Sequence, residues 1–214
     1  MLRNLSALKG YFVSATDGLI GHVVDCCFDD DAWFLRCLVI ETGSWLSSRR
    51  VLISPLSIGT PDWSERVLPV SMTIDQVRHI PDLDLHADPH LRSCVALLGY
   101  HVQAADGSIG HVQDLLLDEE TWAIRYLVVN TSNWWIGHEV LIAPRWIQEF
   151  RWAQREVSVV LDQHGVRTAP PYDPAKPPDR RHEEDLHEHH GRIGYWVEAG
   201  SRRAGPRAAM TIRR

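Results

Sequence analysis

Two His–Asp pairs are the first residues that could do chemistry. His22 and Asp25 return as His111 and Asp114. Such a pair can move protons, but only toward a nucleophile or a bound metal. No nucleophile recurs beside it: Ser14 becomes Gln103, and Cys26 becomes Leu115. On a strand, residues three apart face opposite sides. The histidines are therefore expected to be outward strand residues. Asp17-Gly18 and Asp106-Gly107 form a second repeated acidic feature. They are expected to be structural turns, because Asp suits turn backbone and glycine supplies positive φ. Asp29-Asp30-Asp31 and Asp118-Glu119-Glu120 lack the spaced ligands and glycine of a calcium loop. They are expected to be solvated hairpin tips.

Cys26, Cys27, Cys37 and Cys94 form no Cys-x-x-Cys pair. Three of them are replaced in the second copy by Leu115, Leu116 and Tyr126. That exchange marks apolar packing positions, not redox or zinc chemistry. His182, His187, His189 and His190 stand among Glu183, Glu184 and Glu188. A helix over this run would bring His182, His189 and His190 near one face; a solvated amphipathic helix is expected in preference to a metal site. No catalytic residue, metal or cofactor is assigned. Aromatic residues remain. Trp45 and Trp134-Trp135 occupy matching loops, and Tyr195-Trp196 stands in the tail before its arginine-rich end. Clustered aromatics of this kind favour partner binding. The alternative for the loop tryptophans is a lid folded over the core.

These residues must be positioned by a duplicated unit. Gly10-Tyr11-Phe12-Val13 through Asp17-Gly18-Leu19-Ile20-Gly21-His22-Val23-Val24-Asp25 returns as Gly99 through Asp114, at a constant offset of 89 residues. Trp33, Arg36, Thr42 and Trp45 map onto Trp122, Arg125, Thr131 and Trp134, and Val51-Leu52-Ile53 onto Val140-Leu141-Ile142. A repeat of this length means two copies of one small module. The expected division is 1–88, 89–168, and a Pro-rich, charged and partly disordered tail at 169–214. Within each module, Asp-Gly turns and β-branched runs predict short strands: Gly10–Ala15, Leu19–Phe28, Ala32–Glu41, Arg50–Ser54 and Val67–Met72 in the first. Thr73 with Gln76 predicts a capped helix start. Many strands without helical crossovers argue for an antiparallel barrel. Asp179–His190 predicts a helix anchored by Leu186.

The chain has 214 residues and a net charge of −6, so nucleic-acid binding is not favoured by charge. An exception is Ser201–Arg214, with five arginines and no acid. No stretch approaches the ~18 apolar residues of a membrane span. The first residues do not read as a signal peptide. No transmembrane segment and a cytoplasmic location are the expectations.

The repeated signature is Val-x-Ala-x-Asp-Gly-x-Ile-Gly-His-Val-x-Asp, an acidic turn, Trp-x-x-Arg, a Trp-bearing loop, and Val-Leu-Ile-x-Pro. It resembles the PRC-barrel family, named for the cytoplasmic domain of the photosynthetic reaction-centre H subunit and related to a barrel in the ribosome maturation factor RimM. The resemblance covers Leu5–Val77 and Cys94–Val166. The tail through Tyr195-Trp196 resembles the ending of tandem, stress-associated bacterial members. It implies an all-β fold of two tandem six-stranded antiparallel β-barrels with short helices. It also implies a non-enzymatic adaptor or assembly module that binds a protein partner. A homodimer is a further expectation, and a ribosome- or RNA-associated maturation-type factor is the alternative.

Overall fold

The computed structural model describes residues 1–46, 48–81, 88–131 and 138–197. In chain order the first half contains β1 (Leu2–Asn4), β2 (Phe12–Ala15), β3 (Gly18–Asp29), β4 (Leu35–Thr42), β5 (Arg50–Ile53), β6 (Val67–Pro69) and α1 (Ile74–Arg78). The second half contains β7 (Leu91–Ser93), α2 (Cys94–Leu97), β8 (His101–Ala104), β9 (Gly107–Asp118), β10 (Ile124–Asn130), β11 (Glu139–Ile142), β12 (Ile147–Arg151), β13 (Glu156–Val159) and α3 (Gln163–Thr168). Helix α4 (Arg180–His189) follows. Among the described residues, no helix is long and apolar enough to cross a membrane.

The expectation of two closed antiparallel barrels is corrected here. The first sheet runs β5-β4-β3-β2-β6, with β7 added on β3. The second runs β11-β10-β9-β8-β13-β12, with β1 added on β9. Both are open, and both are mixed, because β2–β6 and β8–β13 pair in parallel. Helices take 24% of the described residues, so the all-β expectation is also too narrow. The physical reason lies at the sheet ends. In the first sheet the end strands β5 and β6 have only four and three residues. One of them finishes in Pro69, which has no N–H to offer a closing partner.

The turns form as their residues demand. Gly18 and Gly107 sit at φ +155° and +151°, a region that side-chain-bearing residues rarely adopt. Asp17 and Asp106 do more than shape the turn. Asp17 Oδ1 accepts the Ile74 N–H at 2.8 Å, and Asp106 Oδ1 accepts the Gln163 N–H at 2.7 Å. Each carboxylate thus satisfies an orphan donor at the start of α1 or α3. Thr73 and Gln76 complete a capping box on α1.

The two halves are laced together by an exchange. The first strand, β1, belongs to the second sheet, with Leu2 opposite Asp118 and Asn4 opposite Leu116. Its counterpart β7 belongs to the first sheet, with Leu91 opposite Asp29 and Ser93 opposite Cys27. After each exchanged strand comes a short helical turn that buries Leu8 or Leu97 completely. Each such side chain stabilises the fold by roughly 1.5–3 kcal/mol. A pseudo-twofold axis passes between Phe34 and Ala123, equivalent positions that form a bridge to each other. On either side, the Leu35 N–H donates to the Trp122 carbonyl at 2.8 Å and the Ile124 N–H to the Trp33 carbonyl at 2.7 Å. This is the self-complementary pattern of a symmetric dimer, built within one chain. One hydrophobic cluster spans both halves.

Candidate interaction surface

The repeated acids carry the exchange. Asp25 accepts from Ser93 Oγ at 2.5 Å and from the Val95 N–H at 3.1 Å. Asp114 accepts from the Ser6 N–H at 3.1 Å and from Ser6 Oγ. The hairpin tips are used in the same way. Arg92 Nε donates to Asp30 at 2.7 Å, and Arg3 pairs with Glu119 at 2.8 Å. Each arginine also lies over a tryptophan, Arg3 over Trp63 at 3.9 Å and Arg92 over Trp152 at 4.5 Å. Asp30 and Glu119 are thus paired rather than simply solvated. Asp118, beside its Arg125 partner, is held below the ordinary carboxylate range against the upward push of its burial. The role of the four Asp and Glu positions was hidden in the sequence because β1 and β7 are too short to register as strands.

All four cysteines are free and buried. Cys26 and Cys94 join the main core, while Cys27 and Cys37 face each other across β3 and β4 in a satellite cluster. Burial pushes the thiols of Cys26 and Cys94 up. His22 sits 3.6 Å from Glu41 on the outer face. Among the described residues, no group of three or more His, Cys, Asp or Glu could hold a metal ion.

The outer faces of the two sheets differ. Across the first sheet the Cα partners line up as Val67–Phe12–His22–Glu41–Arg50. Across the second, the same positions read Glu156–His101–His111–Asn130–Glu139. The next row is Pro69–Ser14–Leu19 in the first sheet and Ser158–Gln103–Ser108 in the second. Phe12 and Leu19 are 50% and 56% exposed. Two large apolar side chains therefore stand in solvent on one face, beside Val67 and Pro69. The duplicated face carries polar residues at all four places. Single exposed apolar residues are ordinary, whereas a contiguous group marks an interaction site.

The aromatic candidates are placed as follows. Trp45 is half-buried, and its Nε1–H donates to the Ile20 carbonyl at 2.8 Å, one residue from Leu19. Trp134 and Trp135 lie outside the described residues, as does Ser201–Arg214. Tyr195 is covered by Arg125 at 4.0 Å and Arg180 at 5.1 Å, and Trp196 by Arg180 at 4.3 Å. Both are half-buried in the contact between the tail and the second sheet. On either side of Tyr195 opens a cleft. One, of about 340 Å³, is lined by Trp33, Phe34, Arg145 and His187; the other, of about 500 Å³, by Met1, Pro178 and Glu183. Sequence reasoning passed over Phe12 and Leu19. The signal was present, since comparing the copies shows Phe against His101 and Leu against Ser108. No protein-family model matches the chain, and no curated protein matches it in sequence.

Proposed function

We propose that the protein is a non-enzymatic adaptor of the cytoplasm, which docks a protein partner on the outer face of its first sheet. The observation that supports this reading is the asymmetry between duplicated faces: Phe12, Leu19, Val67 and Pro69 against His101, Ser108, Glu156 and Ser158. An exposed phenylalanine contributes little to its own fold, yet carries binding energy when a partner covers it. The resemblance of the repeated motif to PRC-type assembly modules, some stress-associated, points the same way.

The test is affinity capture from native lysate with the full chain and a Phe12→Ser/Leu19→Ser variant. A stoichiometric protein that survives moderate salt and is lost from the variant is the expected result. A second copy of this chain, lost in the same way, would make the partner homotypic. Capture that is indifferent to the two substitutions overturns the assignment of this face. Ribosomal proteins and RNA that dissociate steeply with salt would instead favour a maturation-type factor.

A further inference from the structure

The described part of the C-terminal tail packs on the second sheet. Tyr172 bridges to Glu139 of β11, and its hydroxyl donates to Asn4 Oδ1 of β1. Beyond it, Asp179 caps α4. One stripe of α4 faces the sheet: Glu183, Leu186, His187 and His190, spaced i, i+3, i+4, i+7. Leu186, Glu183 and His187 are buried, and His190 is half-buried. The anchor beneath them is Trp146, whose ring lies 5.0 Å from His187 and 4.9 Å from His190. Two of the four residues that hold the helix down are therefore imidazoles in an aromatic, water-poor contact.

We propose that α4 is a pH-sensitive strap, docked on the second sheet while His187 and His190 are neutral and released as they take up protons. The groups facing His187 offer little support to a positive charge. From β10 comes the Tyr126 hydroxyl, 3.2 Å from Nε2. Arg145 and Trp146 follow β11, the Trp196 ring packs at 5.0 Å, and Arg180 and Glu183 lie on α4 itself. Burial, then Arg145, push His187 below its ordinary value, against the backbone of Ile193 and Arg192. Around His190 stand Trp146, His187, His189 and Arg192, with Gly165 of α3 and its N-cap Asp162. Burial first, then His189, His187 and Arg192, lower His190 to about 4; Asp162 opposes them. Glu183 works in the other direction. Its carboxyl is raised by burial, so its uptake of a proton favours docking.

A histidine whose docked pKa lies below its free value of ~6.5 stabilises docking above that free value. The stabilisation is lost as pH falls toward the docked value. For His190, moving between ~6.5 and about 4, the docking constant falls roughly tenfold from pH 7.5 to pH 5.5. Protonation of His187 adds to that loss. Glu183, whose carboxyl is raised by burial, opposes it.

The experiment is amide hydrogen exchange on the full chain from pH 7.5 to 5.5, corrected for intrinsic rates. Protection of α4 amides should fall at least tenfold while β9 and β10 hold theirs. A His187→Gln/His190→Gln variant should lose no α4 protection over that range. Wild-type α4 protection that does not change with pH overturns the proposal, as does an identical loss in the variant. Should the variant fail to dock at pH 7.5, ring-nitrogen NMR titration of the wild-type chain decides. Midpoints for His187 and His190 well below ~6.5 support the strap, and ordinary midpoints refute it.

Discussion

The two halves share a backbone plan and differ in what lies on their outer faces. In the second half part of that face is covered: Leu116, Tyr126, Val128 and Leu141 are all but fully buried, beneath a tail anchored by Tyr172 and Leu186, while His101 stays exposed. In the first half the same positions hold Cys27, Cys37 and Val39, which are buried as well, and Leu52, which is only half-buried. Further along, Phe12 and Leu19 stand exposed. Trp146, covered by α4, corresponds to Ser57, and Arg145 to Leu56, which is 93% exposed. Duplication gave both halves the same exchange, the same turns and the same caps. The helix of the tail, α4, packs on Trp146 of the second half.

Three pairs of substitutions break or sharpen that comparison. The largest effect belongs to the tail anchor. Trp146→Ala removes a fully buried ring and is expected to cost about 3–5 kcal/mol by denaturant titration, whereas Ser57→Ala changes stability by less than about 0.5 kcal/mol. Equal losses at the two positions would mean that the tail does not distinguish the halves.

Next come Gly21 and Gly110, where the halves should agree. A Cβ at Gly21 would fall on the Glu41 carbonyl oxygen, and one at Gly110 on that of Asn130. Alanine at either site should cost about 3 kcal/mol, since the neighbour is backbone and cannot swing aside. A marked difference in their denaturation midpoints would show that one β-sheet yields where its twin does not.

The smallest effect concerns a duplicated ion pair. Arg125–Asp118 spans 2.8 Å and is shielded by Tyr195, while Arg36–Asp29 spans 3.5 Å with Arg36 mostly exposed. Arg125→Ala is expected to cost about 1 kcal/mol and Arg36→Ala close to nothing. A double-mutant cycle with each aspartate measures the pair itself, and equal coupling would remove the tail from the account.

Much of the molecule was legible from the chain. The offset of 89 residues fixed the equivalence of the halves, and Asp-Gly placed the turns at Gly18 and Gly107. Thr73 with Gln76 marked the start of α1, and Leu186 the anchor of α4. Exchange of Cys for Leu or Tyr between copies announced that the cysteines are packing residues, and all four are buried. The exchanged strands were not legible. Leu2–Asn4 and Leu91–Ser93 have three residues each, too few to show a period of two. Nor could the helical face of the tail be read correctly. Spacing grouped His182, His189 and His190, but contact with Trp146 selects His187 and His190.

By itself the sequence determined the local chemistry: where the backbone turns, which segments extend, and which positions are interchangeable between copies. These depend on neighbours a few residues apart. Tertiary structure decided what those pieces enclose. Whether a sheet closes depends on whether its end strands meet, and whether Asp25 or Asp114 is a catalytic group or a clasp depends on a segment about 70 or 108 residues away along the chain. Such contacts join parts of the chain whose spacing carries no periodic signal, so the residues name the partners only after the fold has brought them together.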